Sequence, residues 1–352
     1  MRFHLAALPG EPVGGPDQSP TCAFTEKIRK FPKMMEPFGH EVIVYGMASH
    51  DHDGEHVTAY YDTGAVPFTA EAWEPFNVSA AKAIRHRMEP GDVLGLMGGN
   101  CQAELVELLP ELWPVEYGIG YGGSFAPYRV FESYAWMHTT YGQQRGTNDA
   151  DGSFYDAVIP AYFEPELFPE ASDPGEYLLY VGRLTERKGV EIVCETARRL
   201  DMPLLIAGEG DVTPSYGECL GVVGPQERGE LMAGARALMC PTIYVEPFGC
   251  IAVEAQLCGT PVISTDWGAF TETVRPGESG FRCRTLGEFM WAAENAHTLN
   301  RKDIRAYAQA TWSLEAIGPQ YDLYFQRLMT LNGEGWYDET RFSPRGVVLN
   351  GA

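Results

Sequence analysis

Basic side chains are scarce in this chain of 352 residues. It contains 26 Lys and Arg against 48 Asp and Glu, a formal net charge of −22. Because like charges repel, this composition disfavours non-specific binding to nucleic acid or to an anionic membrane surface.

The sequence also lacks long apolar runs and paired cysteine motifs. No apolar stretch approaches the length that spans a bilayer, and proline and glycine interrupt the N-terminal segment Met1–Pro9 too early for a signal peptide. The eight cysteines form no CxxC pair and several lie in apolar segments, which indicates buried thiols rather than disulfides or zinc ligands. We therefore expect a cytoplasmic protein without a membrane span.

Strands and helices alternate along the first half of the chain. Hydrophobic periodicity predicts strands at 2–8, 41–45, 57–61, 92–97, 115–119 and 157–159, and helices at 21–38, 76–88, 102–109 and 130–140. Pro32 predicts a kink in the first helix. The alternation predicts an α/β protein with parallel sheets, and the length favours two domains.

The most informative stretch is Glu246-Pro-Phe-Gly-Cys-Ile-Ala-Val-Glu254. It follows a predicted strand at 237–240 and contains the start of a helix that Gly259 ends. Pro247 favours an extended backbone at Glu246, and Gly249 lets a ligand approach the unpaired amides at the positive end of the helix. A diphosphate fits such a helix start. Glu254, one turn later, could accept hydrogen bonds from both hydroxyls of a ribose.

Two cations follow a second predicted strand, at 177–181. Arg183 comes directly after this strand and Lys188 precedes the next helix, so both should lie at the carboxyl edge of the sheet, where open α/β sheets bind ligands. Each could donate a charge-assisted hydrogen bond to a diphosphate.

These motifs resemble those of the family 4 retaining glycosyltransferases. The two glutamates match the family's E-x7-E element, and Gly182-Arg183 with Lys188-Gly189 resembles its strand end. Three later segments, 203–210, 261–266 and 277–280, resemble further strand ends and loops in the same order. The first domain looks more like glycosyltransferase-like sequences of phage and environmental genomes, some of which are thought to modify hydroxymethylated pyrimidines in DNA.

The resemblance implies a GT-B fold, in which two Rossmann-like domains face each other across a crevice. It implies an acceptor-side domain at 1–165, a nucleotide-sugar-binding domain at 173–312, and a helix and tail at 313–352 that cross back to the first domain. Ile159-Pro160 resembles the family's hinge, although Ala161 stands where asparagine is usual. The segment 163–176 is the predicted linker.

The resemblance also assigns roles to individual residues. Glu246, Arg183 and Lys188 would be catalytic, with Glu246 on the sugar and the two cations on the diphosphate. The implied nucleotide-sugar site comprises Gly14, Gly15, Arg183, Lys188, Val223, Glu246, Phe248, Gly249, Cys250 and Glu254.

Candidate acceptor-side residues are Asn100, His138 and Lys30. Asn100 follows two glycines at a strand end, whereas His138 could simply pack on a helix. Lys30 belongs to a basic helix face with Lys27, Arg29 and Lys33, which is either a solvated surface or a track for DNA. The triplet Asp51-His52-Asp53 could hold a metal, but the fixed cations already supply positive charge, so we expect neither metal nor cofactor.

The expected activity is transfer of a sugar from a uridine or guanosine diphosphate sugar to a hydroxyl of a glycan, metabolite, lipid or modified DNA, with retention of configuration. The fold also hosts sugar-nucleotide epimerases and phosphorylases, which remain alternatives. A non-catalytic binding module is disfavoured by the intact set of Glu246, Glu254, Arg183 and Lys188.

Overall fold

The first of two parallel sheets has seven strands. The computed structural model describes residues 1–9, 23–47, 55–60, 66–145, 152–170 and 175–332. The strands are β1 (Arg2–Ala6), β2 (Glu41–Met47), β3 (Glu55–Tyr60), β4 (Val93–Leu96), β5 (Trp113–Tyr117), β6 (Tyr128–Phe131) and β7 (Ala157–Val158), in the order 3-2-1-4-5-6-7. All lie within the predicted first domain.

Four helices accompany this sheet. They are α1 (Ala23–Met35), α2 (Ala70–Arg85), α3 (Ala103–Leu108) and α4 (Tyr134–Arg145). Pro32 lies inside α1, which continues through it. The helix α2 begins six residues before the predicted start because the Thr69 side chain caps it by accepting from the Ala72 amide.

The helix predicted at 130–140 is wrong at its start. Val130 pairs with Tyr117 of β5 and with Ala157 of β7, so this segment begins as a buried strand, and α4 starts only at Tyr134. A short apolar run is compatible with a strand or a helix. Here the run forms a strand because β5 and β7 both pair with it.

The second sheet has six parallel strands. They are β8 (Leu178–Val181), β9 (Leu204–Ala207), β10 (Glu218–Gly221), β11 (Ala237–Cys240), β12 (Val262–Thr265) and β13 (Gly280–Cys283), in the order 10-9-8-11-12-13. The helices of this half are α5 (Val190–Leu200), α6 (Pro225–Gly234), α7 (Cys250–Leu257), α8 (Phe270–Thr273), α9 (Leu286–Asn295) and α10 (Arg301–Trp312). In both sheets the strand order reverses beside the first strand, which places a ligand crevice at the carboxyl ends of the central strands.

The last described helix, α11 (Leu314–Met329), returns to the first domain as predicted. Ile317, Tyr321 and Phe325 are buried in the same apolar cluster as Phe3 and Phe31. The two chain crossings lie side by side: the amide of Phe163 donates to the carbonyl of Trp312, and the amide of Leu314 donates to the carbonyl of Phe163. The two parallel sheets and the crossing helix are the GT-B architecture.

The thiols are mostly buried, as expected. Cys101, Cys194, Cys240, Cys258 and Cys283 are buried, Cys250 is partly exposed and Cys219 is exposed. Cys22 lies outside the described residues. None of the described helices is long and apolar enough to cross a bilayer.

Candidate active site

A cavity of about 1090 Å³ lies between the two domains. Loops after β5 and β6 and the helix α1 line one wall, and loops after β8, β9 and β11 with the start of α7 line the other. Ligand pockets usually measure ~300–1,000 Å³, so this cavity has the size of a ligand-binding site.

Glu246 is fixed by two hydrogen bonds to one of its oxygens. Lys188 Nζ and the Tyr244 hydroxyl each donate to Oε2 at 2.8 Å. The other oxygen, Oε1, can therefore accept from a ligand hydroxyl. Lys188 lies in a 3₁₀ turn before α5, and its side chain also lies over the Tyr244 ring at 5.0 Å.

The helix α7 starts at the cavity wall without a side-chain cap. Gly249 has a φ of +80°, a conformation that favours glycine, and Cys250 is the first helical residue. The first amides of a helix have no partner within it, so this end can bind an anion. Burial raises the pKa of the Cys250 thiol to about 12, which favours the neutral thiol over the thiolate.

Glu254, one turn into α7, has a cation as its neighbour. Arg228 Nε of α6 lies 3.0 Å from Glu254 Oε2 but out of line for a hydrogen bond. Both side chains line the cavity. Sequence reasoning did not find Arg228, because nothing in α6 indicates which of its side chains faces the crevice.

Of the remaining predicted donor residues, three line the cavity and two lie outside the described residues. Arg183 is exposed and lines the cavity, and Val223 lines it from a buried position. Phe248 also lines the cavity, and its buried ring packs against Phe163 at 6.4 Å between centroids, in the apolar cluster of Trp312. Gly14 and Gly15 lie outside the described residues.

The predicted acceptor-side residues do not converge. Lys30 lines the cavity, whereas Asn100 and His138 are exposed and do not line it.

Tyr121 also lines the cavity, and the sequence motifs did not indicate it. Its ring meets Tyr244 edge to face across the crevice at 5.8 Å between centroids, and Arg187 lies over the Tyr244 ring at 4.1 Å.

The basic face of α1 is not a solvated surface, which corrects that prediction. Lys27 Nζ pairs with Glu132 Oε1 at 2.6 Å, and Lys30 Nζ lies 3.4 Å from Glu26 Oε2. Arg29 and Lys33 both pair with Glu164. Glu132 and Glu164 are far from α1 in the sequence, so only the fold reveals that these cations are neutralised.

The metal hypothesis concerns the triplet 51–53. Asp51, His52 and Asp53 lie outside the described residues. Within the described ranges, no three His, Cys, Asp or Glu side chains lie together in a way that could hold a metal ion.

Residues 175–301 match the family model "Glycosyl transferases group 1". This range contains the second-domain residues that line the cavity. Over this range the chain is similar to the members of this glycosyltransferase family. The match confirms the resemblance seen in the motifs around Glu246 and Arg183.

Curated relatives share this part of the chain. A phosphatidyl-myo-inositol mannosyltransferase of Mycobacterium leprae is 32% identical over 158 residues, which cover 41% of this chain and 42% of the relative. A D-inositol 3-phosphate glycosyltransferase of Rhodococcus erythropolis is 34% identical over 132 residues, covering 31% and 30%. The chain thus spans less than half the length of these relatives.

Solved structures extend the likeness to both domains. Sucrose-phosphate synthase from Thermosynechococcus elongatus superimposes with a TM-score of 0.71 at 17% identity, covering 94% of this chain and 99% of that one. Anabaena Alr3699/HepE, solved with UDP and glucose, gives a TM-score of 0.65 at 17% identity, covering 93% and 99%. At this identity the likeness shows the shared GT-B fold.

Proposed function

We propose that this protein transfers a glycosyl group from a nucleoside diphosphate sugar to an acceptor hydroxyl. The observation that carries the proposal is the carboxylate of Glu246, held by Lys188 and Tyr244 beside the uncapped start of α7. A glycosyltransferase family match over the same residues supports it.

The donor binds along the second-domain wall. Its diphosphate lies at the start of α7 and accepts from Arg183 and Lys188, whose charges stabilise the leaving group as the glycosidic bond breaks. Oε1 of Glu246 accepts from a sugar hydroxyl, Glu254 binds the ribose, and Val223 borders the base. Anabaena Alr3699/HepE was solved with UDP-glucose, which favours a uridine diphosphate sugar, with guanosine as the alternative base.

We propose that the sugar keeps its anomeric configuration. Burial raises the pKa of the Cys250 thiol at the start of α7, and Lys188 and Tyr244 hold the Glu246 carboxylate, so we assign the role of nucleophile to neither. The acceptor hydroxyl then attacks from the face that the diphosphate leaves, and a diphosphate oxygen takes its proton. Fixed cations and the α7 amides act where a metal ion would, so the reaction is metal-independent.

The first-domain wall favours an uncharged acceptor. Of the described residues that line it, the cations Lys27 and Lys30 are each paired with a glutamate. A phosphate on the acceptor would have to compete with Glu132 and Glu26 for these two ammonium groups, and no described residue of this wall offers the exposed guanidinium that Arg183 provides on the donor side. The same pairing removes the basic face on which a DNA acceptor depended.

Calorimetry on two variants tests the donor site. Arg183→Ala and Lys188→Ala should each weaken binding of UDP or GDP about tenfold, since a hydrogen bond to a charged group contributes roughly 1.5–3 kcal/mol. Binding of uridine or guanosine, which lack the diphosphate, should change little.

Equal losses for diphosphate and nucleoside would show that both residues act on the fold instead, and would contradict the assignment. Donor consumption without added acceptor, or only with inorganic phosphate, would indicate an epimerase or a phosphorylase.

A further inference from the structure

The two domains are hydrogen-bonded to each other at the first turn of α4. The Ser133 hydroxyl donates to the carbonyl of Pro247 at 2.6 Å. The Glu272 carboxylate accepts from the amides of Tyr134 and Ala135, each at 2.9 Å. Pro247 and Glu272 belong to the second domain, so these three bonds, the α4 clamp, cross the crevice.

The clamp reaches the loop that carries Glu246 by two routes. Pro247 directly follows Glu246 and is bonded by Ser133. Glu272 lies on α8, just after Ala269, whose amide donates to the Glu246 carbonyl at 3.1 Å. Any shift of α4 relative to the second domain would therefore act on this loop at both contacts.

A second contact of α8 reaches the start of α7. The ring of Phe270 lies so close to Gly249 that an added Cβ there would come within 2.8 Å of it. Phe270 also lines the cavity. The segment 269–272 thus packs against the proposed diphosphate site through Phe270. The carboxylate of Glu272, at the end of this segment, is bound by two amides of the first domain.

Glu272 is more than a helix cap. The helix α4 already has its own capping side chain, because Ser133 Oγ accepts from the Trp136 amide at 3.0 Å. Glu272 satisfies the two preceding amides at the positive end of the helix, where a carboxylate is favoured. Its side chain is exposed and does not line the cavity, so it reaches no substrate.

We propose that Glu272 and Ser133 are positioning residues. By joining α4 to the loop 246–249 and to α8, they hold the donor site against the acceptor wall, so that Glu246 faces the acceptor only while the crevice is closed. The role in turnover rests on the proposed glycosyl transfer, whereas the role in domain closure does not.

The test compares Glu272→Ala and Glu272→Gln with Glu278→Ala. Glu278 is an exposed glutamate of the same domain that pairs with Arg275 outside the cavity. Small-angle scattering without substrate measures the radius of gyration, and steady-state kinetics with a nucleotide sugar measures kcat and KM.

Glu272→Ala should increase the radius of gyration and lower kcat about tenfold, because two charge-assisted bonds are lost. Its affinity for the nucleoside diphosphate should stay within about twofold, since the second domain provides those contacts. Glu272→Gln should give a radius of gyration and a kcat between those of Glu272→Ala and the wild type, since its amide oxygen replaces one of the two acceptors. Glu278→Ala should match the wild type in both.

A lower melting temperature for Glu272→Ala with unchanged kcat and unchanged radius of gyration would overturn the proposal, because it would show a purely structural cap. If the wild type consumes no nucleotide sugar, the proposed function fails, and scattering alone then decides whether the clamp closes the crevice.

Discussion

Individual side chains at this site are held by partners that the sequence does not reveal. The carboxylate of Glu246 was predicted from its motif, but Tyr244, which fixes it at 2.8 Å, was not. A residue two positions away on a loop can point in any direction, so its role depends on backbone geometry that only the structure provides. For the same reason the ion pair of Lys27 with Glu132 was missed.

At the residue scale, Glu164 should make stability depend on acid pH. Burial raises its pKa, but the hydrogen bonds and charges of Lys33 and Arg29 outweigh burial, and the pKa lies below its usual value. The stabilisation is therefore complete above about pH 4.5 and is lost as the pH falls through the lowered pKa of the folded protein.

The variant Glu164→Gln should lose about 2 kcal/mol of unfolding free energy at pH 7 and show a flatter decline below pH 4.5. Urea denaturation at several pH values measures this, with the exposed Glu74→Gln as a control. Parallel curves for the wild type and Glu164→Gln would contradict the assignment.

At the scale of elements, the start of α7 was predictable from the sequence. The secondary structure of the segment 130–140 was not. Pro247, Gly249 and Gly259 punctuate the α7 segment so strongly that its helix and loop follow from local chemistry. The segment 130–140 contains a short apolar run whose state depends on β5 and β7, which pair with it from elsewhere in the chain.

Gly249 gives the element-scale prediction. Gly249→Ala places a Cβ at positive φ and 2.8 Å from the Phe270 ring, whereas Gly277→Ala has a similar φ of +77° and nothing within 4 Å of the added atom. Both variants should lose about 1–2 kcal/mol of stability from the backbone alone.

Only Gly249→Ala should weaken binding of the nucleoside diphosphate, by roughly tenfold or more, because the start of α7 must shift. Calorimetry with UDP and GDP compares the two variants. Equal binding by both would mean that the diphosphate does not lie at this helix start.

At the scale of the whole molecule, contacts of several kinds join the two domains. The crossing helix α11 buries Phe325 in the core of the first domain, the α4 clamp bridges the crevice, and Tyr121 meets Tyr244 across it. One wall of the cavity between them contains the pairs Lys27–Glu132 and Lys30–Glu26, and the other contains the pair Lys188–Glu246 and the exposed Arg183. This arrangement suits a charged donor and an uncharged acceptor.

The most direct measurement is proton NMR of the anomeric signal during incubation of the purified protein with UDP- and GDP-linked sugars, EDTA and neutral hydroxyl acceptors. We expect the donor signal to decline and a product signal of the same anomeric configuration to appear. Glu246→Gln should yield no product while still binding the nucleoside diphosphate. A product of inverted configuration, product formation by Glu246→Gln at the wild-type rate, or no loss of any donor would contradict the account.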